Sequence, residues 1–233
     1  MLRAVERVPM LTANECTAIL DKVHTLETLW IRRAEPPFFS LGAASYLDAQ
    51  SGEDDYYALA RRFNGILRDN FCWLYDRVAS GLEKHLNACA CYAPRFALPG
   101  FHIFQAAAAF ADSTGCLHCD LQYQKLDWTD YATPDFSDPL SFTLAIALPN
   151  AGGGLQVWNI EHGEIIGKSL EEMRAVFKSR ECRYESYRVG EMIVHSGHTV
   201  HQIAPMASMV ASDERVTLQG HGIKSGGVWY LYW

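Results

Sequence analysis

The sequence predicts an α+β fold in which helices come first and short antiparallel strands follow. Two long amphipathic patterns occupy the chain before Pro94. After that residue the pattern changes to short apolar runs separated by turn residues. An amphipathic helix must bury its apolar face against another element. We therefore expect the strands to form a two-sheet jelly roll, with the helices packed on the outside of one sheet.

The first predicted helix begins at the capping box Thr12-Ala13-Asn14-Glu15, where a hydroxyl precedes a carboxylate by three residues. Apolar side chains then recur at helical spacing: Cys16, Ile19, Leu20, Val23, Leu26, Leu29 and Trp30. The pattern ends at Pro36-Pro37, because proline cannot continue a helix. This stripe predicts one amphipathic helix.

A second and longer helix is predicted after the polar stretch 51–55. Its apolar positions are Tyr56, Leu59, Phe63, Ile66, Leu67, Phe71, Leu74, Val78 and Leu82. A third and shorter helix is predicted near Ser169-Leu170-Glu171-Glu172, another capping box, and extends to about Lys178. This third helix interrupts the series of strands.

Short segments after Pro94 have the lengths and residue types of strands. They are 101–105, 144–148, 155–158, 184–189, 192–195, 215–220 and 228–233. Pro149-Asn150 ends one of these segments, and Gly152-Gly153-Gly154 forms the turn that opens the next. A series of short strands between turns favours the jelly roll.

The length of 233 residues predicts one domain with a full core. We expect residues 1–233 to form it, with 1–92 as helical support and 93–233 as the jelly-roll core. The net charge is −7, from 20 Lys and Arg against 27 Asp and Glu. This mild acidic excess argues against nucleic acid or an anionic membrane as the main partner.

Neither a membrane span nor a secretory signal is expected. No apolar run reaches about 18 residues, and residues 1–7 lack a long apolar stretch. The seven cysteines are an odd number, so we expect reduced thiols in a cytoplasmic protein. The oligomeric state stays open.

Two cysteine pairs raise the question of a structural zinc site. Cys116 and Cys119 flank a histidine, whereas Cys89 and Cys91 are too close together for the usual zinc knuckle. We therefore expect small buried thiols at these positions rather than zinc ligands.

His118, Asp120 and His201 are the candidate metal ligands. On a strand, residues two apart point to the same face, so His118 and Asp120 would face one interior while Cys119 faces away. Two imidazoles and one carboxylate can occupy one triangular face of an octahedral metal, an arrangement that suits non-haem iron(II). Arg215 follows as a cation that could anchor an acidic co-substrate.

The later half of the chain carries a longer motif. His201 is followed by Gln202-Ile203-Ala204-Pro205, the segment before it begins at the turn Gly190-Glu191, and Arg215 comes after it. Together with Gly153-Gly154-Leu155, this pattern resembles the iron(II)/2-oxoglutarate-dependent dioxygenases, nearest to their prolyl-4-hydroxylase-like branch. The resemblance covers roughly residues 100 to 220 and implies a double-stranded β-helix of the cupin-like type.

The resemblance implies roles for these residues. His118, Asp120 and His201 would bind Fe(II), with His201 preferred over His198 and His195 because only His201 has the motif after it. Arg215 would form an ion pair with the far carboxylate of 2-oxoglutarate, and Thr217 could hydrogen-bond it. O₂ would be the second co-substrate, with ascorbate as a candidate reductant. His102, Gln105 and Tyr123 are expected to line the pocket.

The implied activity is hydroxylation or another oxidation of a C–H bond in a small metabolite or an amino acid. The intact Asp120 favours oxygen chemistry over halogenation. Alternatives are oxidation of a peptidyl side chain, a metal-binding jelly roll without turnover, and a zinc hydrolase using the same ligands. The loop 125–140 could be a substrate lid. Aromatic side chains could line the pocket or pack in the core or on the surface: Trp128, Tyr131, Trp158, Trp229, Tyr230, Tyr232 and Trp233.

Overall fold

A computed structural model describes residues 5–49, 53–112, 114–206 and 209–233, with the backbone alone for residues 53 and 54. The helices within them are α1 (Ala13–Thr25), α2 (Ser45–Asp48), α3 (Glu53–Leu86), α4 (His162–Ile165) and α5 (Leu170–Lys178). The strands are β1 (Glu6–Pro9), β2 (Ile31–Ala34), β3 (Phe38–Leu41), β4 (Ala90–Tyr92), β5 (Gly100–Gln105), β6 (Pro134–Ala147), β7 (Leu155–Glu161), β8 (Cys182–Glu185), β9 (Glu191–Ser196), β10 (Thr199–Ile203), β11 (Glu214–Ser225) and β12 (Val228–Tyr232).

The strands form two sheets, as the sequence predicts. The major sheet has the order β1-β9-β6-β11-β5-β3-β2, and β12 pairs with both β11 and β4. The minor sheet has the order β10-β7-β8. The expected jelly roll is therefore confirmed, and the space between the two sheets is where inward-facing side chains of β5, β6, β9 and β11 can meet those of β7 and β10.

The long helix α3 packs on the major sheet. Its buried side chains Phe63, Phe71 and Val78 belong to one apolar cluster with Phe101 of β5 and Leu218 of β11. The rings of Phe71 and Phe101 are 4.9 Å apart between centroids. Phe71 also has non-helical backbone angles, φ −136° and ψ 24°, so α3 is kinked where it meets the sheet.

The capping boxes predicted for α1 and α5 are confirmed. Thr12 accepts a hydrogen bond from the backbone N–H of Glu15, and Ser169 accepts one from that of Glu172. Each glutamate in turn accepts from the backbone of its capping residue. Helix α1 buries Cys16, Ile19 and Val23, whereas no residue of α5 is buried.

The first 92 residues contain more than helices. Strands β1, β2, β3 and β4 all add to the major sheet, β1 on β9 and β3 on β5. Each has three or four residues, which is too short for a clear alternation of apolar and polar side chains. Their extended conformation is determined by pairing with strands that are distant in sequence.

Three predicted boundaries were wrong. Helix α1 ends at Thr25, so Leu26, Leu29 and Trp30 of the predicted apolar stripe lie beyond it. The segment expected to be the loop 125–140 becomes β6 from Pro134, which pairs with Ser225 of β11. Register shifts in that pairing accommodate prolines that the sequence pattern presents as strand breakers. The strand expected at 184–189 is β8, Cys182–Glu185, and residues 186–189 are outside it. Across the described ranges, no helix has the length and apolar character needed to cross a membrane.

Candidate metal centre

His118 is held beside His201 by the backbone. The two residues form an isolated antiparallel bridge, with N–H to O distances of 3.0 Å and 2.9 Å, so the first ligand lies next to β10 without belonging to a full strand. The backbone N–H of Asp120 donates to the carbonyl of Gly197 at 2.7 Å. These three bonds bring the predicted ligands to one place, although the strand expected for His118 and Asp120 is reduced to a single bridge.

Ligand atoms of His118, Asp120 and His201 lie within 4.8 Å of one another, and they are the one group of this kind within the described ranges. Nε2 of His118 is 3.6 Å from Oδ1 of Asp120, and Nε2 of His201 is 3.4 Å from Oδ2. Two imidazole nitrogens and a carboxylate therefore converge as a metal site requires.

Backbone carbonyls fix the tautomers of both imidazoles. Nδ1 of His118 is 2.7 Å from the carbonyl oxygen of Cys116, and Nδ1 of His201 is 2.8 Å from that of Thr199. A carbonyl only accepts, so each Nδ1 carries the proton and each Nε2 presents a lone pair. This is the arrangement that orients a metal-binding histidine.

The charge states also suit a cation. Burial lowers the pKa of His201 to about 3, so its imidazole is neutral near pH 7. Burial acts to raise the pKa of Asp120, but the surrounding imidazoles outweigh it and hold that pKa well below the usual range. Asp120 is thus a carboxylate beside the neutral imidazole of His201.

A hydrogen-bond chain that the sequence analysis missed holds the carboxylate of Asp120. Ser141 Oγ donates to Oδ2 at 2.6 Å and lies 3.2 Å from Nδ1 of His221. The amide nitrogen of Gln122 donates to Nε2 of His221. Because that nitrogen accepts, the proton of a neutral His221 lies on Nδ1 and is donated to Ser141.

The site opens into a cavity of about 520 Å³ between the sheets. Its lining comes from β5, β6, β9, β11, β7 and β10, and from the segment that carries His118 and Asp120. Polar side chains of the lining include Tyr46, His102, Gln122, Ser141, Tyr187, His195, Gln219 and His221. Such a cavity has the size and mixed lining of small-molecule sites.

Arg215 is fully buried and only partly hydrogen-bonded. Its Nε donates to the carbonyl of Gly153 at 2.8 Å, and Nη1 donates to Oγ1 of Thr217 at 3.3 Å. Its guanidinium carbon lies 5.5 Å from the ring centroid of Phe104 and 5.3 Å from that of Tyr187. Those two rings line the cavity, whereas Arg215 and Thr217 are not among its lining residues. Nη2 has no hydrogen-bond partner among the described residues, and no described carboxylate forms an ion pair with it.

Of the three predicted pocket residues, only His102 lines the cavity. Its Nε2 is 2.7 Å from the hydroxyl of Tyr46, and burial holds its pKa well below the usual range. Gln105 stands outside because it ends β5 opposite Glu214. Tyr123 stands outside because its hydroxyl bonds to Nε2 of His198 at 3.0 Å.

The alternative histidines are separate from the ligand cluster. His195 is buried in the cavity wall, with its ring 4.6 Å from that of His201 between centroids, and Nδ1 bonds to the carbonyl of Ser196. His198 bonds to Tyr123 instead. Neither belongs to the group whose ligand atoms converge.

The cysteine and aromatic expectations were partly wrong. The expected burial was wrong, because Cys89, Cys91 and Cys116 are exposed and Cys119 is half-buried. Cys116 and Cys119 line the metal cavity. None of the seven aromatic candidates lines the cavity. Trp128, for example, packs against Phe96, so packing rather than pocket lining explains its position.

The sequence did not single out several polar residues that line the cavity: Tyr46, Gln122, Ser141, Tyr187, Gln219 and His221. His221 had a usable signal, because Arg215, Thr217, Gln219 and His221 alternate along β11 and so share one face. Ser141 and Tyr187 lie in apolar or irregular sequence, where nothing marks a lone hydroxyl as functional.

Several solved structures have a similar fold over most of the chain, at low sequence identity. An N-substituted L-amino acid dioxygenase from Burkholderia ambifaria in complex with alpha-ketoglutarate is 16% identical, with 97% of this chain and 84% of that chain covered and a TM-score of 0.56. The alpha-ketoglutarate-dependent epimerase SnoN from nogalamycin biosynthesis is 16% identical over 97% and 82%, with a TM-score of 0.53.

HygX from Streptomyces hygroscopicus, with nickel, 2-oxoglutarate and hygromycin B bound, is 13% identical over 94% of this chain and 83% of that chain, with a TM-score of 0.52. The sequence matches no family model and no curated protein. The resemblance to iron(II)/2-oxoglutarate-dependent dioxygenases is therefore confirmed at the level of the fold.

Proposed function

We propose that the protein is an iron(II)- and 2-oxoglutarate-dependent oxygenase that oxidises a C–H bond of a small metabolite or an amino acid. In this proposal His118, Asp120 and His201 hold the iron, and Arg215 with Thr217 binds the far carboxylate of 2-oxoglutarate. The observation that carries the proposal is the buried Arg215 guanidinium, whose Nη2 has no partner among the described residues.

The donor set fits iron(II). Two imidazoles and one carboxylate leave the remaining positions of an octahedral ion free for a co-substrate. A zinc hydrolase could use the same three donors. It would have no use for Arg215, so the buried guanidinium favours the oxygenase.

The surroundings of Arg215 fit a carboxylate. A buried charge is costly unless it is paired and fully hydrogen-bonded. Gly153 and Thr217 accept from Nε and Nη1, and the Tyr187 side chain also interacts with the guanidinium, yet Nη2 is left without an acceptor among the described residues. The far carboxylate of 2-oxoglutarate would supply that acceptor, and the keto-acid end would remain for the iron.

The chain's own residues hold the donors in place. The carbonyls of Cys116 and Thr199 keep both Nε2 lone pairs directed at the site, and Ser141 orients the carboxylate. Bound iron(II) and 2-oxoglutarate would supply the oxidising chemistry with O₂, with succinate and CO₂ as co-products. The carboxylate of Asp120 favours oxygen chemistry, because halogenation would need that position open.

The cavity supports a small-molecule substrate. A volume of about 520 Å³ is within the range of small-molecule sites. One similar structure is a dioxygenase of N-substituted L-amino acids, and another belongs to nogalamycin biosynthesis. An amino acid or a biosynthetic intermediate is therefore our preferred class.

The first test is anaerobic titration of the protein with Fe(II) and 2-oxoglutarate, followed by visible absorbance. We expect a charge-transfer band that needs both components. Asp120→Ala and His201→Ala should abolish the band, whereas His198→Ala is a matched control that should retain it. Full Fe(II) binding by the two ligand variants would refute the assignment.

The second test separates co-substrate binding from metal binding. Arg215→Ala should weaken 2-oxoglutarate binding by about 100-fold or more, because a buried charge-assisted pair is lost. Binding of Mn(II), measured by electron paramagnetic resonance, should stay within about 3-fold of the parent. An unchanged 2-oxoglutarate affinity in this variant would remove Arg215 from its role.

A further inference from the structure

A second cavity of about 370 Å³ lies beside the metal centre. We call it the α5 groove, and it is lined chiefly by apolar side chains: Leu117, Leu121, Ile165, Leu170, Met173 and Phe177. His162 and Arg174 are the polar exceptions on its α4–α5 side. A lining of this composition suits an alkyl or aryl group rather than a sugar or a peptide backbone.

Helix α5 leaves its apolar face uncovered. Its apolar and polar residues separate onto two faces, yet no residue of the helix is buried. Leu170 is 70% exposed, and Leu117 on the opposite wall is 41% exposed. Phe177 contacts Trp158 with 6.2 Å between ring centroids, so the helix is attached at one end while its groove side stays open. Contiguous apolar exposure of this kind marks a binding surface.

The α5 groove adjoins the metal cavity. His118, Cys119 and Leu121 line both. The side chain of His118 is 45% exposed, although its Nε2 faces Asp120. A ligand with its reacting carbon at the metal would reach the groove by passing over the exposed part of the His118 ring.

We propose that the α5 groove holds an apolar limb of the substrate, so that the substrate is an elongated molecule with an alkyl or aryl arm. This inference rests on the proposed function for the position of the reacting end. The arm would cover the face that α5 leaves exposed, which makes the helix part of the substrate site.

The first experiment measures the groove without turnover. The fluorescent probe 8-anilinonaphthalene-1-sulfonate is titrated into the full chain loaded with Mn(II) and 2-oxoglutarate. The double variant Met173→Ser/Phe177→Ser should weaken probe binding by about 10-fold or more, because two apolar walls are lost. Val176→Ser, on the same helix but outside the groove lining, should change it less than about 2-fold. Equal binding by all three proteins would overturn the proposal.

The second experiment tests continuity with the metal. Mn(II) broadens proton resonances of ligands that lie close to it, so sodium decanoate is added and its lines are compared with those in the presence of Zn(II). We expect broadening that falls along the chain and is lost in Met173→Ser/Phe177→Ser but retained in Val176→Ser. Broadening that is identical in both variants would show that decanoate avoids the groove, and the proposal would be wrong.

Two controls distinguish substrate binding in the groove from two alternatives, loss of the metal site and self-association of the chain. Electron paramagnetic resonance reports Mn(II) binding directly, so loss of the metal site is distinguishable from loss of the groove. Sedimentation velocity tests the competing occupant, a second copy of the chain. A concentration-dependent dimer that Met173→Ser/Phe177→Ser abolishes would assign the groove to self-association and overturn the proposal.

Discussion

Replacing Ser141 by alanine removes the hydroxyl that donates to Oδ2 of Asp120 at 2.6 Å. Ser141 is buried in the wall of the metal cavity, and its hydroxyl also lies 3.2 Å from Nδ1 of His221. A hydrogen bond to a charged group contributes about 1.5–3 kcal/mol. Outer contacts that orient a metal ligand typically change metal affinity by about 10–100-fold. We therefore expect Ser141→Ala to weaken Mn(II) or Fe(II) binding by about that factor.

The assay is calorimetric titration of the metal-free protein with Mn(II). Ser225→Ala is the matched control, because Ser225 is also buried but its hydroxyl accepts from the backbone of Thr133, away from Asp120. Ser141→Thr keeps the hydroxyl and should recover most of the affinity. Parental affinity in a folded Ser141→Ala protein would refute the view that this hydroxyl positions the carboxylate.

Two further predictions concern stability. The metal-free protein should lose stability as pH falls from about 6.5 towards 4. Burial lowers the pKa of His201 to about 3 and of His221 to about 4, so the unfolded chain takes up protons that the folded chain does not. At pH 5 the loss is about 2 kcal/mol for each imidazole, and urea unfolding with an equal midpoint at pH 7 and pH 5 would contradict it. Gly154→Ala should lower the melting temperature, because its Cβ would lie 2.4 Å from the carbonyl oxygen of Glu185. Gly163→Ala, whose Cβ meets nothing within 4 Å, should not lower it, and similar melting of both variants would argue against this contact.

Local signals gave good predictions for the helices and the inner strands. The capping boxes at Thr12 and Ser169 act over three residues, and the apolar stripe of α3 repeats along one helix, so both are visible in sequence. The short edge strands β1 to β4 carry no such signal. Their partners lie far along the chain, and the sheet rather than local preference decides their conformation.

In the candidate site, too, some features are visible in the local sequence and others depend on distant residues. The spacing of His118 and Asp120, and the residues after His201, led to three side chains that the fold brings together. The contacts around them depend on residues that are distant in sequence, such as Ser141 and His221. No spacing rule connects a buried serine on one strand with a histidine on another, so these partners required the structure.

The bridge between His118 and His201 has a consequence for how the protein responds to its metal. Among the described residues, two backbone hydrogen bonds, both between His118 and His201, fasten this stretch of chain to β10. A cation bound by the two imidazoles and Asp120 would cross-link these two backbone segments. The metal-free protein should therefore be cleaved by proteases first in the peptide around Cys116, and bound metal should slow that cleavage.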